Sequence, residues 1–386
     1  MSDIADLSRL DDLSDMIALR RAIHADPELA FTEHRTAARI AEALRGFGIE
    51  VHEGIGGTGV VGVLRNGQSG RSIGLRADMD ALPIQEHTGL PHASRNPGIF
   101  HGCGHDGHVA MLLGAARHLA ATRRFDGTVA FIFQPAEEGR GGARAMIADG
   151  LFERFPCDQV YAIHNWPDLP AGTLQTRAGP IMASADRFDI MVRGRGGHAA
   201  FPHQTPDAIL AASELVLQLN TIVSRRIAPT ATALLSVTQI AGGDTHNVLP
   251  EAVSLTGTVR TFDPAVQDQI EAAIRQVANG VGLATGTTIS VEYQRNYPPT
   301  INDPDCAATA LRLASKVCPA QTAPDPAMTS EDFSYMLQVR PGAYLWLGAG
   351  GTASLHNSHY DFNDDILGTG VAVHVALAEG LLAPSD

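Results

Sequence analysis

Short apolar runs alternate with amphipathic helices in the first part of the chain, and this alternation limits the folds that the chain can adopt. Residues 59–64, 72–77, 128–133 and 160–163 form continuous apolar runs with the length and character of strands covered on both faces. Helical spacing lies between them, as over residues 108–122. Strands that alternate with helices predict an α/β fold in which a mostly parallel mixed sheet lies between helices.

A second pattern begins after Pro180 and predicts a separate small domain. Strand patterns occur over residues 187–192, 232–240, 252–262 and 288–293, with helical patterns over residues 207–225 and 264–280. Their order, β-α-β-β-α-β, is that of a ferredoxin-like α+β domain. The first pattern returns after Tyr297, so we predict that the small domain is inserted into the large one. The predicted boundaries are 1–181 and 298–386 for the two parts of the large domain, and 182–297 for the insertion.

The charge balance excludes several classes of partner. The chain has 28 basic and 42 acidic residues, which gives a net charge of −14. A negative surface repels nucleic acid and anionic lipid, so we expect neither a nucleic-acid nor a membrane partner. No apolar run reaches the roughly eighteen residues of a membrane span. The first sixteen residues, with five aspartates, lack the features of an export signal. We therefore expect a soluble, cytoplasmic protein without disulfides.

Metal-capable side chains follow the ends of four predicted sheet strands. Ligand sites of open parallel sheets lie outside the carboxyl ends of their strands, so we expect these side chains to meet. They are Asp78 and Asp80, Glu137 and Glu138, His164, and, in the loop after a further strand pattern at residues 343–347, His356 and His359. A glycine-rich loop before a predicted helix adds His101, Cys103, His105, Asp106 and His108. Cysteine, histidine and carboxylate are the ligands of zinc-like ions, so the pattern favours a metal site.

Two local features of this pattern allow more than one interpretation. The alternating glycines let Cys103 and His105 converge on one point, although a flexible loop with chance histidines would have the same composition. The adjacent Glu137 and Glu138 suit metal-assisted hydrolysis, in which one carboxylate binds the ion and its neighbour moves a proton. Taken alone, the same pair also fits a solvated helix N-terminus.

Other functional motifs are absent or fail in context. The G-x-G-x-x-G spacing that starts at Gly54 is followed by the strand pattern VVGVL, whereas a dinucleotide site requires a helix there. The sequence has neither the G-x-S-x-G of serine hydrolases nor the phosphate-binding loop G-x-x-x-x-G-K-[ST]. We interpret residues 329–332, which include Glu331 and Asp332, as a helix cap.

The motifs together resemble the signature of the M20 metallopeptidase family, specifically its hippurate hydrolase and indole-acetyl-amino-acid hydrolase branch. The similarity covers nearly the whole chain in an ordered series. Its members are His24-x-x-Pro27-Glu28-Leu29, Arg76-Ala-Asp-Met-Asp-Ala-Leu-Pro83, Cys103-Gly-His-Asp-Gly-His108, Gln134-Pro-Ala-Glu-Glu-Gly139, His164-Asn-Trp-Pro167, Gly194-Arg-Gly-Gly-His198, Asn247-Val-Leu-Pro250, Ser330-Glu-Asp-Phe333 and His356-Asn357.

The resemblance implies a zinc-peptidase-like catalytic domain that binds two divalent metal ions per subunit. The residues that match the family's ligands are Cys103, His105, Glu138, His164 and His356, and Glu137 matches its general base. Manganese or zinc is expected, with cobalt and nickel as alternatives. A soft thiolate stands where many relatives carry aspartate, so the identity of the ion cannot be transferred from those relatives.

The resemblance further implies that the insertion is a lid that mediates a homodimer or a higher homo-oligomer. His198 matches a residue that contacts the substrate, in some relatives from the partner subunit. Asn247 and Arg260 match positions that face the substrate's carboxylate, although Arg260 could equally be an ordinary charge at a strand end.

The implied activity is hydrolysis of the amide bond of a small N-acyl amino acid, such as a hippurate-like, N-acetyl or aryl-acetyl compound. A dipeptidase or carboxypeptidase of the same family is an alternative. A second alternative is a metal-binding protein without catalysis, against which the presence of Glu137 argues.

Overall fold

The computed structural model describes residues 13–351 and 353–384. These residues form two compact units. The first comprises the described residues of Met1–Ile181, Ile301–Asp325 and Asp332–Asp386, and the second comprises Met182–Thr300 and Pro326–Glu331. The expectation that the chain lacks an export signal falls mainly on residues 1–12, which lie outside the described residues.

The helices and strands are numbered in chain order. The helices are α1 (Ser14–His24), α2 (His34–Gly46), α3 (His105–Thr122), α4 (Glu137–Arg140), α5 (Gly142–Ala148), α6 (Leu151–Arg154), α7 (Ala208–Arg226), α8 (Pro264–Thr285), α9 (Pro304–Ala314), α10 (Ser334–Val339) and α11 (Leu367–Leu381). The strands are β1 (Glu50–Ile55), β2 (Gly59–Asn66), β3 (Ser72–Asp78), β4 (Gly127–Gln134), β5 (Gln159–Trp166), β6 (Leu174–Thr176), β7 (Gly179–Met182), β8 (Ala185–Arg193), β9 (Gly197–His198), β10 (Ala233–Ala241), β11 (Val248–Leu249), β12 (Ala252–Thr261), β13 (Thr288–Tyr297), β14 (Thr300–Asn302), β15 (Ala320–Thr322) and β16 (Gly342–Gly348).

The first unit is built on an eight-stranded mixed sheet with the order β1-β2-β4-β3-β5-β16-β6-β15. Its four central strands, β4, β3, β5 and β16, run parallel to one another. Every residue of β3 and β16 is buried, as expected for strands covered on both faces. The predicted α/β fold with a mostly parallel sheet is therefore confirmed.

Helix α3 carries part of the candidate site and is held deep in the first unit. It packs against α1, α2, α11 and the central strand β3. All residues from His105 to Ala116 are buried, so the N-terminal end of the helix is as enclosed as its middle. The side chains just before α3 and in its first turn are therefore held in fixed positions by the surrounding core.

The second unit has the predicted element order β-α-β-β-α-β, formed by β8, α7, β10, β12, α8 and β13. Its antiparallel sheet has the order β10-β12-β8-β13. Residues of β12 alternate between buried and partly exposed positions, and the buried ones share one apolar core with α7 and α8. The roles of residues 182–297 as a lid and as a dimerisation domain stay predictions.

Two local interpretations can be compared with the structure. The strand predicted after the glycine-rich segment at Gly54 is confirmed, because β2 begins at Gly59. The helix cap predicted at residues 329–332 is wrong: α10 begins at Ser334, and its N-cap residue is Phe333, whose side chain makes no capping hydrogen bond. Asp332 instead lies 3.2 Å from the buried guanidinium of Arg76, a partner distant in sequence that local spacing does not reveal.

Among the described helices, none has both the length and the apolar character needed to cross a bilayer. All four cysteines lie in the described part of the chain, and no disulfide joins them there.

Candidate metal centre

The first unit brings together all five residues that the sequence predicts as metal ligands. Cys103 Sγ lies 3.5 Å from His164 Nε2. Glu138 Oε1 lies 4.0 Å from His105 Nε2 and 3.3 Å from His356 Nε2. The ligand atoms of Cys103, His105 and Glu138 all lie within 4.8 Å of one another, a spacing that a shared metal ion requires.

The loop before α3 folds tightly because of Gly104, the residue between Cys103 and His105. Its φ of 85° lies in the left-handed region. A Cβ atom at this position would lie 2.5 Å from Asn165 Oδ1 and 2.7 Å from the hydroxyl oxygen of Tyr360. Only glycine satisfies both conditions, so this turn directs the thiolate and the imidazole to the same side.

Glu137 and Glu138 leave the end of β4 in a turn that separates their side chains. Ala136 before them has a φ of 54°, an uncommon value for a residue with a side chain. Glu138 Oε1 faces the imidazoles of His105 and His356, whereas Glu137 Oε1 accepts a hydrogen bond of 3.3 Å from the backbone N–H of Asp332. The two adjacent carboxylates thus occupy different surroundings.

Unsatisfied buried atoms show that the site suits a metal ion. The carbonyl oxygen of Asp80 accepts a 2.9 Å hydrogen bond from His105 Nδ1, so in the neutral form of the ring, the form that binds a metal, Nε2 is the unprotonated nitrogen. Within the described part of the chain, His105 Nε2 and Glu138 Oε1 are both buried without a hydrogen-bond partner. Buried acceptors are rarely left unpaired, and a divalent cation would satisfy both.

The charges around the imidazoles are unequal. Burial opposes a charged ring at His105, but Asp78 and Asp80 outweigh it and raise the pKa of His105 to about 10. At His164, burial and the neighbouring His108 hold the pKa well below its ordinary value, so this ring is neutral. Metal ligation requires neutral imidazole, and a bound cation would therefore displace a proton from His105.

His108 lies beside the site, but its ring nitrogens are already engaged. Nδ1 lies 2.5 Å from Asp78 Oδ1, and Nε2 lies 2.6 Å from Asn165 Oδ1. The amide nitrogen of Asn165 donates a 2.6 Å hydrogen bond to the hydroxyl of Tyr360. His108 therefore supports the ligands rather than adding to them. The sequence does not predict this chain of contacts, although Asp78 and His108 stand in the quoted motifs.

Of the two histidines after β16, His356 is the one that reaches the site. Its Nε2 lies 3.3 Å from Glu138 Oε1, although half of its side chain remains exposed. His359 is exposed, and its Nδ1 lies 3.2 Å from the hydroxyl of its neighbour Ser358. The preference for His356 over His359 agrees with these positions.

The three remaining candidate residues lie in the second unit. His198 in β9 pairs with Val248 in β11, and Asn247 directly precedes that strand. His198 Nδ1 accepts a 3.0 Å hydrogen bond from the backbone N–H of Ala200, so a neutral ring carries its proton on Nε2. Arg260 lies in β12, in the four-stranded sheet of the second unit, and is partly buried.

Residues 74–380 match the pattern of peptidase family M20/M25/M40, and the chain belongs to this family. Hippurate hydrolase of Campylobacter jejuni is 40% identical over 372 residues, which cover 96% of this chain and 97% of that protein. Thermostable carboxypeptidase 1 of Saccharolobus solfataricus is 38% identical over 373 residues, which cover 94% of each chain. The resemblance drawn from the motifs is confirmed, as is the assignment to hydrolases.

The fold is also similar to that of a solved structure from Bacillus subtilis, a dinuclear metal-binding peptidase of family M20. The TM-score is 0.85 at 33% sequence identity, and the match covers 96% of this chain and 98% of that one. The chain is therefore an M20-family hydrolase with groups able to hold metal ions.

Proposed function

We propose that the protein is a two-metal amidohydrolase that cleaves N-acyl amino acids into a carboxylic acid and a free amino acid. The observation that carries this proposal is the pair Glu137 and Glu138, in which one carboxylate faces the imidazoles of His105 and His356 while its neighbour does not. The similarity to hippurate hydrolase supports an acylated amino acid as substrate.

Cys103, His105, Glu138, His164 and His356 would hold the two ions. Divalent ions in such a site supply Lewis acidity that lowers the pKa of a water from about 15.7 towards about 7 and polarises the carbonyl of the amide. Thiolate and imidazole ligands favour zinc, and manganese, cobalt and nickel remain in the proposal because imidazole and carboxylate accept them.

Glu137 acts as the general base and then as the general acid. Its carboxylate accepts a proton from the water that attacks the carbonyl carbon of the substrate. When the C–N bond breaks, Glu137 returns this proton to the nitrogen of the departing amine. The backbone N–H of Asp332, 3.3 Å from Glu137 Oε1, holds the carboxylate in one orientation during both transfers.

His198 is proposed to donate a hydrogen bond from its Nε2–H to the carbonyl oxygen as negative charge develops there. The hydrogen bond that its Nδ1 accepts from Ala200 supports this tautomer. Asn247 and Arg260 are proposed to bind the carboxylate of the amino acid. We also propose a homodimer formed through residues 182–297, and a cytoplasmic location in which the Cys103 thiolate stays reduced.

A carboxypeptidase of the same family is the second candidate, and the 38% identity to thermostable carboxypeptidase 1 favours it. The two candidates differ in the group that they accept on the carbonyl side of the scissile amide bond. An amidohydrolase accepts a simple acyl cap there, whereas a carboxypeptidase accepts the remainder of a longer peptide.

The test is a substrate panel of hippurate, N-acetyl amino acids, indole-acetyl conjugates, dipeptides and longer peptides, assayed with manganese, zinc, cobalt and nickel. We expect amine release to be fastest from N-acyl amino acids and to disappear with a chelator. Faster cleavage of peptides would favour the carboxypeptidase, and no metal-dependent release from any compound would refute both.

A further inference from the structure

We propose that Asp80 is a positioning residue. It holds the predicted metal ligand His105 and the turn that carries the general base Glu137 in a fixed arrangement. Asp80 follows β3 by two residues and is 1% exposed. The sequence identifies it only as a metal-capable side chain at a strand end. In the structure its hydrogen bonds go to other residues of the site.

The first contact of Asp80 is with the ring of His105. Its backbone carbonyl oxygen accepts the Nδ1–H of His105 at 2.9 Å, and its carboxylate Oδ1 lies 3.3 Å from the same nitrogen. Two acceptors around one nitrogen keep the proton there and direct Nε2 towards Glu138. Outer partners of this kind set the tautomer, the ring orientation and the basicity of a metal-binding imidazole.

The second contact is with the turn that carries the two glutamates. The Oδ1 atom of Asp80 accepts the backbone N–H of Glu137, and its Oδ2 atom accepts the backbone N–H of Glu138, each at 3.0 Å. Both carboxylate oxygens are therefore used on consecutive residues that the proposed mechanism assigns to different tasks.

The turn needs such an external support because its own backbone is irregular. Ala136 lies in the left-handed region, and α4 is a single turn in which Glu138 and Gly139 depart from helical angles. A turn this short has little stability from its own hydrogen bonds. The Asp80 carboxylate supplies the hydrogen bonds that a longer helix would make within itself. The separation of the Glu137 and Glu138 side chains therefore depends on Asp80.

The isosteric change Asp80→Asn tests this role without removing volume. An amide offers one acceptor oxygen, so one of the two backbone N–H groups would face an NH₂ group instead of an oxygen. Asp126→Asn is the control for loss of a carboxylate charge away from the site, because the Oδ1 atom of Asp126 alone accepts two consecutive backbone N–H groups, those of Gln68 and Ser69, at 2.7 and 2.8 Å, and asparagine retains that oxygen. Asp80→Ala removes both acceptors and serves as the stronger variant.

The experiment measures zinc affinity by titration of the metal-free protein, and kcat and KM at saturating metal, for wild type and all three variants. We expect Asp80→Asn to weaken zinc binding about 10–100-fold, the range known for partners of metal ligands, and to lower kcat with a much smaller change in KM. Circular dichroism and the thermal midpoint verify folding, and Asp80→Asn carries the test if Asp80→Ala does not fold.

Zinc affinity and kcat of Asp80→Asn equal to those of Asp126→Asn would overturn the proposal. A fall in kcat together with unchanged zinc affinity would also overturn it, because His105 would then be positioned without Asp80. The kinetic readout rests on the proposed function, whereas the zinc titration does not. A wild-type protein that binds zinc but cleaves no substrate would therefore refute the amidohydrolase and leave the role of Asp80 to be decided by the titration.

Discussion

The backbone N–H of His356 donates a hydrogen bond of 2.8 Å to the carbonyl oxygen of Gly102. This bond joins the loop after β16 to the residue directly before Cys103. His356 adopts a φ of 64°, a costly conformation for a residue with a side chain, and its side chain is 51% exposed. His356, the most exposed of the five predicted ligands, is thus held in place by its backbone hydrogen bond. Its side chain reaches the site from a strained backbone conformation.

His356→Ala is expected to remove one of the two proposed ions while the other remains. The group formed by Cys103, His105 and Glu138 does not include His356, so one ion keeps its ligands. Elemental analysis after dialysis should give one metal per chain for the variant and two for the wild type. His359→Ala, a change at an exposed histidine of the same loop, should keep two. Equal metal content in both variants would contradict this assignment.

Glu137→Gln is expected to keep both ions and lose turnover, because the amide cannot accept the proton of the attacking water. The loss in kcat should be about 10²–10⁴-fold, the usual contribution of a general base. Glu138→Gln and Cys103→Ala should instead weaken metal binding itself. Metal content and kcat are measured on the same samples. The division of roles fails if Glu137→Gln loses as much metal as Cys103→Ala.

His198→Ala is expected to lower kcat about 10²–10³-fold, the effect of removing one hydrogen-bond donor to the developing oxyanion. Metal content should not change, because His198 is not among the predicted ligands. His203→Ala, at an exposed histidine of the same unit, is the control and should retain wild-type kcat. An unaltered kcat in His198→Ala would exclude this residue from the chemistry.

The stability of the protein is expected to fall as the pH rises from about 6.5 towards about 9. His24 is buried between Asp106, at 3.0 Å, and Glu86, at 3.3 Å. Burial opposes the charged ring, but Asp106 and then Glu86 outweigh it and raise the pKa of His24 from 6.5 to about 9. The charged ring therefore stabilises the fold fully below pH 6.5, and this contribution, about 3 kcal/mol, is lost as the ring deprotonates.

Denaturant unfolding of wild type and His24→Gln over this pH range measures the effect. The free energy of unfolding of the wild type should decrease with rising pH more steeply than that of His24→Gln. His203→Gln, in which an exposed histidine changes, should follow the wild type. Parallel pH profiles for wild type and His24→Gln would show that His24 is not the titrating group.

Features that depend on local spacing could be predicted from the sequence. The apolar runs that form β2, β3, β4 and β5 could be predicted as buried strands because nearly all their residues are apolar. The glycine on each side of Cys103 likewise indicates a tight loop before a helix. The carboxyl ends of predicted parallel strands place Glu138 and His164 on the same side of a sheet, so a set of metal-capable side chains could be proposed from the residue pattern. The choice of the five ligands among them rests on the family resemblance.

Features that depend on long-range partners could not be predicted. Asp332 has the local spacing of a helix cap, but its carboxylate forms a buried ion pair with Arg76, which is distant in sequence. Asp80, after β3, contacts the turn that follows the neighbouring strand β4. His108, in α3, contacts Asn165 in β5. Both contacts depend on how these elements pack, which local spacing does not show. The polar edge strand β1 has no apolar run that would predict it.

A crystal structure of the zinc- or manganese-loaded protein, with anomalous scattering recorded at the metal edge, tests the central claim most directly. We expect two peaks, each within about 2.0–2.3 Å of its ligands among Cys103, His105, Glu138, His164 and His356. Glu137 should lie beside them without ligating. Peaks bound by other residues, or a single ion coordinated by Glu137 in place of Glu138, would contradict the proposed enzyme.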